Sequence, residues 1–410
     1  MRNKWALLAF LCATFVIYTI DRALLGPLAI PIQKDTGITD VQFGVLNAAV
    51  FWTYAAVVPF AGYAGDRFDR LKLIGLASVV WSAMTVLAGF STGFWSLLLL
   101  IAVAVTAPQT FYSPAAAALI ASRHRETRTV AMSCHQAAFY AGWFLSGVSV
   151  AAILAWLGSW RAAYFVFGGM GLLLGVVFLV AESSGVDMQR ARCPLPQEKT
   201  SFAASLRAFF GCPSAVIAAL GHVAFTTVAF GYSAWGPKFV ALKFNLTPGK
   251  AGAGVMFWHF AVAFVAILLA GVVTDRFVGR YPRFRLALQT VALLAAAPLL
   301  GLFGFSPALI GVWIAAAAFG FAKGLFEANS FNSLFDVVSP AYRSSAVGFL
   351  NVLSGVIGSS APIFLGAMSQ SKGVRGLEIG FAVLGGFLLL ACALMCLSLF
   401  FTFKRDRITE

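Results

Sequence analysis

Few residues in this chain can do chemistry, and most of them come in close pairs. Lys323 and Glu327 stand four apart, so on a helix their side chains meet on one face. Such a pair either neutralises itself, making burial of both charges tolerable, or it works. In the working form the ammonium binds an anion while the carboxyl takes a proton or releases the lysine. Asp21 and Arg22 are adjacent, which turns them about 100° apart on a helix, so they cannot both face one solute. The planar fork of arginine suits a carboxylate or phosphate, which makes Arg22 the expected substrate contact. Asp21 is then either its supporting partner or a proton carrier. Gln109 and Tyr112, three apart, share a helical face. Asn329, Gln136 and Asn351 add neutral hydrogen-bonding groups to the candidate substrate site. His135, His222 and His259 each stand alone, and a lone histidine in an apolar segment more often bonds a neighbouring helix than relays protons.

What is missing narrows the chemistry further. The sequence has no GxxxxGK[ST] loop for a nucleotide and no recognisable nucleophile–base pair. It has no His or Cys spacing for a metal, so neither an enzyme nor a cofactor is expected. The six cysteines mostly lie within apolar runs, where a thiol behaves as a small hydrophobe.

The elements that carry these residues are membrane spans. Hydrophobic residues make up 60% of the chain and charged residues 11%, against roughly 25% charged in a soluble domain. Continuous apolar runs, rather than alternating ten-residue segments, exclude an outer-membrane barrel. Approximate spans fall at 5–30, 42–64, 73–91, 94–119, 129–157 and 161–181, then at 213–241, 250–273, 284–303, 307–333, 343–368 and 377–402. The first run is too long for a signal peptide and contains Asp21-Arg22, so it reads as a retained helix. Residues 182–212 read as a polar linker with a surface helix near its end, separating bundles at 1–181 and 213–410. The net charge of +14 is one-sided: about 20 of the 29 Lys and Arg fall on the side that carries both termini, and about six on the other. That places both termini in the cytoplasm and removes a nucleic-acid partner from consideration.

The chain also repeats itself. Gly62-Tyr63-Ala64-Gly65-Asp66-Arg67, followed by Arg70 and Lys72, recurs about 210 residues later as Gly271 to Arg280, with Asp275-Arg276 at its centre. Gly62 is expected to let helices approach closely, and the Asp-Arg pairs to bridge helix ends in a charged loop. Asp66, Arg67, Arg70, Asp275 and Arg276 are therefore expected to act as conformational latches. Gly37-Ile38-Thr39-Asp40 matches Asn245-Leu246-Thr247-Pro248, and Arg128 with Gln136 matches Arg343 with Asn351. The fold expected is an all-α membrane protein of twelve transmembrane helices in two pseudo-symmetric six-helix bundles. Two such halves put a site near the bilayer midplane at their interface.

At these residues the chain resembles the major facilitator superfamily, whose loop between helices 2 and 3 reads G-x-x-x-D-R-x-x-R-x-K. Gly158-Ser159-Trp160-Arg161 with Tyr164 resembles the W-R-x-x-F segment before helix 6. Tyr18-Thr19-Ile20-Asp21-Arg22 and Phe111-Tyr112-Ser113-Pro114-Ala115 resemble the anion:cation symporter and spinster-like branches. Many spinster-like proteins carry a glutamate on helix 4 where this chain has Gln109. The resemblance implies that helices 1, 4, 7 and 10 line a cavity and that the protein works as a monomer.

Together these features lead to a secondary transporter of the cytoplasmic membrane. It is expected to move a small organic anion, a sugar acid or other carboxylate, by alternating access. Proton symport is the expected coupling, with Asp21 and Glu327 as the proton-coupling groups. The rivals are a spinster-like carrier of lysolipids or sphingoid bases and a non-transporting membrane sensor.

Overall fold

The computed structural model describes residues 4–124, 127–183 and 202–408, so most of the linker expected over 182–212 lies outside the described residues. Among those described, every regular element is helical. The first half runs α1 (Lys4–Ala23), a short α2 (Ala29–Thr36), α3 (Asp40–Arg67) and α4 (Arg70–Ala88). The fourth crossing is broken. It consists of α5 (Phe94–Leu97), a π-helical stretch Leu98–Val105, α6 (Thr106–Gln109) and α7 (Tyr112–Arg123). Then come α8 (Arg128–Leu157) and α9 (Trp160–Ser183). The second half runs α10 (Phe202–Phe210), α11 (Pro213–Lys243), α12 (Pro248–Val278), α13 (Phe284–Phe305), α14 (Leu309–Glu327) and α15 (Ser330–Phe335). It closes with α16 (Arg343–Gly358), α17 (Ser360–Leu397) and α18 (Phe403–Asp406).

Among the described residues, eleven stretches are long and apolar enough to cross a membrane. The last of them, Ser345–Asp406, holds 62 residues and would extend about 90 Å as one straight helix, three times a bilayer core. Gly373 divides it, with φ of 57° and ψ of −136°, a conformation that only glycine adopts without strain. Two crossings result, which makes twelve.

Local chemistry explains the helix starts that the repeat marked. Thr39 accepts from the backbone of Gln42 at 3.2 Å, and the Gln42 side chain accepts from the Thr39 backbone at 2.9 Å, a capping box that begins α3. Its repeat counterpart, Thr247, accepts from Lys250 at 3.4 Å at the start of α12. Asp69 likewise accepts from the Lys72 backbone at 3.0 Å and begins α4.

The chain divides into two compact units. One comprises Met1–Cys193 with Ser233–Phe257, and the other Pro194–Tyr232 with Trp258–Glu410. Compared with bundles at 1–181 and 213–410, the C-terminal part of α11 and the N-terminal part of α12 join the first unit.

Each unit has a seam of small residues, as expected where lipid provides no hydrophobic drive and helices associate by close packing. In the first, α9 presents Gly168, Gly171 and Gly175 to Ser78, Ser82 and Val86 of α4. A Cβ on Gly168 would stand 2.7 Å from Val86 Cγ2 and 2.9 Å from the Ser82 carbonyl oxygen. In the second, Gly320 of α14 packs on the backbone of His259 in α12, and a Cβ on Gly324 would meet the Ala263 carbonyl oxygen at 2.5 Å.

Three expectations need correction. A Cβ on Gly62 or Gly271 would meet nothing within 4 Å, so neither glycine sits at a close helix approach. The Asp66-Arg67 and Asp275-Arg276 pairs lie in the final turns of α3 and α12 rather than in loops. The first span ends at Ala23, and the chain turns before α2 instead of continuing to residue 30.

Candidate functional site

The sequence predicted that Asp21 and Arg22 face apart, and α1 places them so. Arg22 is half-buried, and its guanidinium carbon lies 4.8 Å from the Tyr54 ring centre, 5.7 Å from Tyr18 and 5.8 Å from Phe51. Its Nη1 donates to the Tyr18 hydroxyl at 2.9 Å. No carboxylate pairs with it among the described residues. A guanidinium held by aromatic faces keeps its orientation and most of its donors free, which is the arrangement a bidentate anion needs.

Asp21 points the other way, into the interior of the first unit, and is 7% exposed. Thr85 of α4 approaches its Oδ2 at 3.4 Å, while Oδ1 is buried without a hydrogen-bond partner among the described residues. Enclosing a carboxyl among neutral groups is costly while it is charged, and taking up a proton removes that cost.

The fourth crossing carries Gln109 and Tyr112 in successive helical segments, α6 and α7. Pro108 lacks the N–H that would close a bond to Ala104, and the ladder loosens into the π-helical stretch before it, where Thr106 Oγ1 donates to the Ile101 carbonyl at 3.0 Å. A turn at Thr110-Phe111 then separates the two residues. Gln109 is 1% exposed, and both its amide atoms are buried without a partner among the described residues. Tyr112 is fully buried, with its hydroxyl donating to the Leu11 carbonyl at 2.6 Å and lying 3.2 Å from His135 Nε2. His135 also stacks on Phe15 at 4.2 Å between ring centres. Tyr112 is therefore a core residue tying α7 to α1 and α8.

In the second unit, Lys323 and Glu327 pair on α14 as their spacing requires. The lysine side chain is 7% exposed and the glutamate side chain 32%. Lys323 Nζ lies 5.9 Å from the Phe260 ring centre. The His259 ring sits beside that same phenylalanine, 4.7 Å between centres, and beside Tyr232 at 4.6 Å. His222 lies 6.3 Å from the Phe326 ring. The tenth crossing breaks directly after Glu327, since α14 ends there and α15 starts at Ser330. Asn329 caps that break: its carbonyl accepts from Ser333 at 2.9 Å and its Nδ2 donates to the Leu325 carbonyl at 3.3 Å. Both repeats thus interrupt the same crossing beside a polar side chain, Gln109 in one and Glu327 with Asn329 in the other. Irregular backbone at membrane depth is tolerated where it is buried in protein or lines a cavity. Gln136 is exposed on α8 and Asn351 half-buried on α16, each without a side-chain hydrogen bond among the described residues.

The expected latches fare unevenly. The side chains of Asp66 and Arg67 lie outside the described residues. Arg70 reaches from α4 to the Gly65 carbonyl at 3.2 Å and the Ala118 carbonyl at 3.5 Å, joining the ends of α3 and α7. Asp275 and Arg276 are exposed and make no ion pair among the described residues. The corresponding link in the second unit is Arg285 of α13, which pairs at 2.6 Å with Asp336 just beyond α15. Arg285 follows Arg70 by one repeat length, a signal that the motif's degenerate ending at Arg280 obscures.

Two further clusters escaped the sequence reading. Lys238 of α11 pairs with Asp40 of α3 and donates to Gln33 Oε1 of α2 at 2.6 Å, while Gln33 Nε2 donates to Asp40 Oδ1 at 2.8 Å. The available signal was a lysine inside the span 213–241. The second cluster joins Arg161 of α9 to Asp35 of α2 and, at 3.0 Å, to the Ser91 carbonyl, with Trp160 Nε1 donating to Asp35 at 3.1 Å. Asp35 lies outside the spans, and bonding to Arg161 and then Trp160 holds its carboxyl below the usual carboxylate range. A carboxyl depressed by folding adds stability above its unfolded value of about 3.9 and loses it as pH falls through the lower folded value. The thermal stability margin of wild type over Asp35→Asn should thus be constant above about pH 5 and shrink steadily below about pH 4. A margin that grows on acidification would contradict the pairing.

With this geometry in place, comparison with known proteins gives a family. The profile described as "Major Facilitator Superfamily" matches residues 11–297, well over half the chain. An MFS-type efflux pump of Mycolicibacterium smegmatis is 25% identical over 96% of this chain and 90% of its own length. Protein spinster homolog 1 of Homo sapiens is 26% identical over 89% and 72% respectively. A D-galactonate transporter of Escherichia coli is 25% identical over 91% and 90%. Among solved structures, a bacterial homologue of the human lysosomal transporter spinster, inward-facing and unoccupied, superposes with a TM-score of 0.85 at 21% identity over 99% of both chains. The chain belongs to the major facilitator superfamily. It is a multi-pass membrane transporter whose relatives include spinster proteins and a D-galactonate transporter.

Proposed function

We propose that this chain is a secondary active transporter that carries a small organic anion, a sugar acid or other carboxylate, by alternating access with proton symport. The observation that carries the reading is Arg22, a guanidinium fixed among Tyr18, Phe51 and Tyr54 with no acid partner among the described residues. A permanent cation at membrane depth is tolerated when it faces a cavity or meets an anion. The D-galactonate transporter among its relatives moves a substrate of that chemistry. Asp21, enclosed by neutral groups behind Arg22 on the same helix, is the proton carrier in the first unit. The partly exposed Glu327, bonded to Lys323, is the second. Gln109, Gln136, Asn329 and Asn351 supply neutral hydrogen bonds to the substrate's hydroxyls. Arg70 secures helix ends during the transport cycle, and Asp66, Arg67, Asp275 and Arg276 complete the latches on the cytoplasmic side.

The knot of Lys238, Asp40 and Gln33 joins elements from both halves of the repeat, a contact that alternating access must make and break. The protein sits in the cytoplasmic membrane as a monomer with both termini inside, as its one-sided basic charge supports. Its partners are the anion, protons and surrounding lipid. The test is reconstitution into liposomes and challenge with D-galactonate, other sugar acids and small carboxylates. Transfer of lysophospholipid with no response to any carboxylate is the outcome that would replace this reading with a spinster-like lipid carrier.

A further inference from the structure

Asp21 as a proton carrier raises the question of which group registers its proton. The Thr85 hydroxyl lies between two acceptors. Its Oγ1 stands 3.0 Å from the Trp81 carbonyl oxygen one turn back on α4, and 3.4 Å from Asp21 Oδ2 on α1. A hydroxyl has one proton to donate and lone pairs to accept with, so it can satisfy one of these acceptors at a time.

We propose that Thr85 is the positioning residue of the proton site, a hydroxyl rotor whose direction follows the state of Asp21. This rests on Asp21 being the proton carrier proposed above. With Asp21 ionised, the Thr85 O–H points to Oδ2 and the Trp81 carbonyl keeps its helical bond alone. With a proton taken from water, the Asp21 carboxyl donates to Thr85 Oγ1, and the Thr85 O–H turns back to the Trp81 carbonyl. One proton enters the carboxyl and none leaves the threonine, so the rotor exchanges hydrogen bonds and not charge.

The surroundings restrict who else can act. Trp81 Nε1 and the Tyr164 hydroxyl of α9 are buried without hydrogen-bond partners among the described residues, as is Asp21 Oδ1. Ser82 of α4, one turn from Thr85 along the helix, turns its hydroxyl toward Gly171 of α9, where it is buried without a hydrogen-bond partner among the described residues. Among charged groups, Arg22 projects from the other face of α1 to its aromatic cage. Arg161, one turn from Tyr164 on α9, is tied to Asp35. Tyr18, one turn back on α1, accepts from Arg22 with its hydroxyl oxygen. The Trp81 indole N–H also bears on the carboxyl, but of the two groups Thr85 Oγ1 is the one that meets hydrogen-bond geometry with it. Because Asp21 and Arg22 are consecutive, a turn of α1 that follows the switch of the rotor also moves the guanidinium, which is how a proton on one face of the helix is felt by an anion on the other.

The test uses the full chain in liposomes without any substrate. Infrared difference spectra taken from about pH 4 to about pH 9 should contain a protonated-carboxyl C=O band that is absent in Asp21→Asn. Thr85→Val removes a hydrogen bond that favours the ionised form more than the neutral one, so the midpoint of that band should move to higher pH by about one unit. Thr85→Ser keeps the rotor and should return the midpoint to the wild-type position. If Thr85→Val does not fold, the smaller Thr85→Ala asks the same question. An Asp21-dependent band whose midpoint is the same in wild type and the hydroxyl-free variant would overturn the role of Thr85 and leave Asp21 as carrier. No Asp21-dependent band at any pH would remove both.

Discussion

Arg22→Ala should weaken binding of the transported anion by about 100-fold, and Arg22→Lys should recover less than half of that loss on a logarithmic scale. The guanidinium is pre-set: Tyr54, Phe51 and Tyr18 hold its plane, and its bond to the Tyr18 hydroxyl uses one of five donors. A bidentate charge-assisted contact contributes about 2 to 3 kcal/mol, which is about 30- to 150-fold in affinity. Lysine restores the charge but neither the fork nor the flat stacking on the rings, so it should act as a point charge with lower selectivity for carboxylates. Binding to purified protein by calorimetry measures both variants. Equal affinity of wild type and Arg22→Ala for a substrate that is still transported would place the anion elsewhere.

The second large effect concerns stability and is asymmetric. Glu327→Leu should destabilise the protein by about 3 kcal/mol, whereas Lys323→Met should cost about 1 kcal/mol. The difference follows from exposure: the lysine side chain is 7% exposed and the glutamate side chain 32%. Removing the glutamate takes a carboxylate from an ammonium that solvent scarcely reaches. Removing the lysine leaves a carboxylate that water can partly solvate. Replacing both at once, Lys323→Met with Glu327→Leu, should come within about 1 kcal/mol of wild type, because a well-packed apolar pair avoids both desolvation costs. Chemical unfolding in a fixed mild detergent gives the order. If Lys323→Met were the more damaging single change, the lysine would not be the partner that depends on the pair.

Much of this architecture is legible in the sequence because membrane spans and repeats leave strong local marks. The apolar runs, the matching repeat positions of Thr39 and Thr247, the Lys323–Glu327 spacing and the divergence of Asp21 from Arg22 are all local marks of this kind, and the structure makes both threonines helix caps. The failures share a cause. The run holding Gln109 and Tyr112 reads as one unbroken helix, whereas it loosens into a π-helical stretch and is interrupted at Thr110-Phe111. Pro108 and Pro114 were visible in that run, but how far a proline loosens its helix depends on the packing around it. The break after Glu327 has no proline at all. Lys238 finding Asp40, and Arg285 finding Asp336, are pairings across long stretches of chain for which no local pattern exists. Asp21 facing α4 rather than a solute also depends on the angular setting of α1, which tertiary packing decides.

The most direct measurement of the central claim is substrate-driven proton entry into liposomes that contain the protein and a pH-sensitive dye. Wild type and Arg22→Ala would be challenged with D-galactonate, other sugar acids and small carboxylates. Proton-coupled anion transport predicts that at least one of these acidifies the lumen with wild type, and that the response is lost with Arg22→Ala. Folded, well-incorporated wild type that acidifies with none of them, or a response that survives in Arg22→Ala, would contradict it.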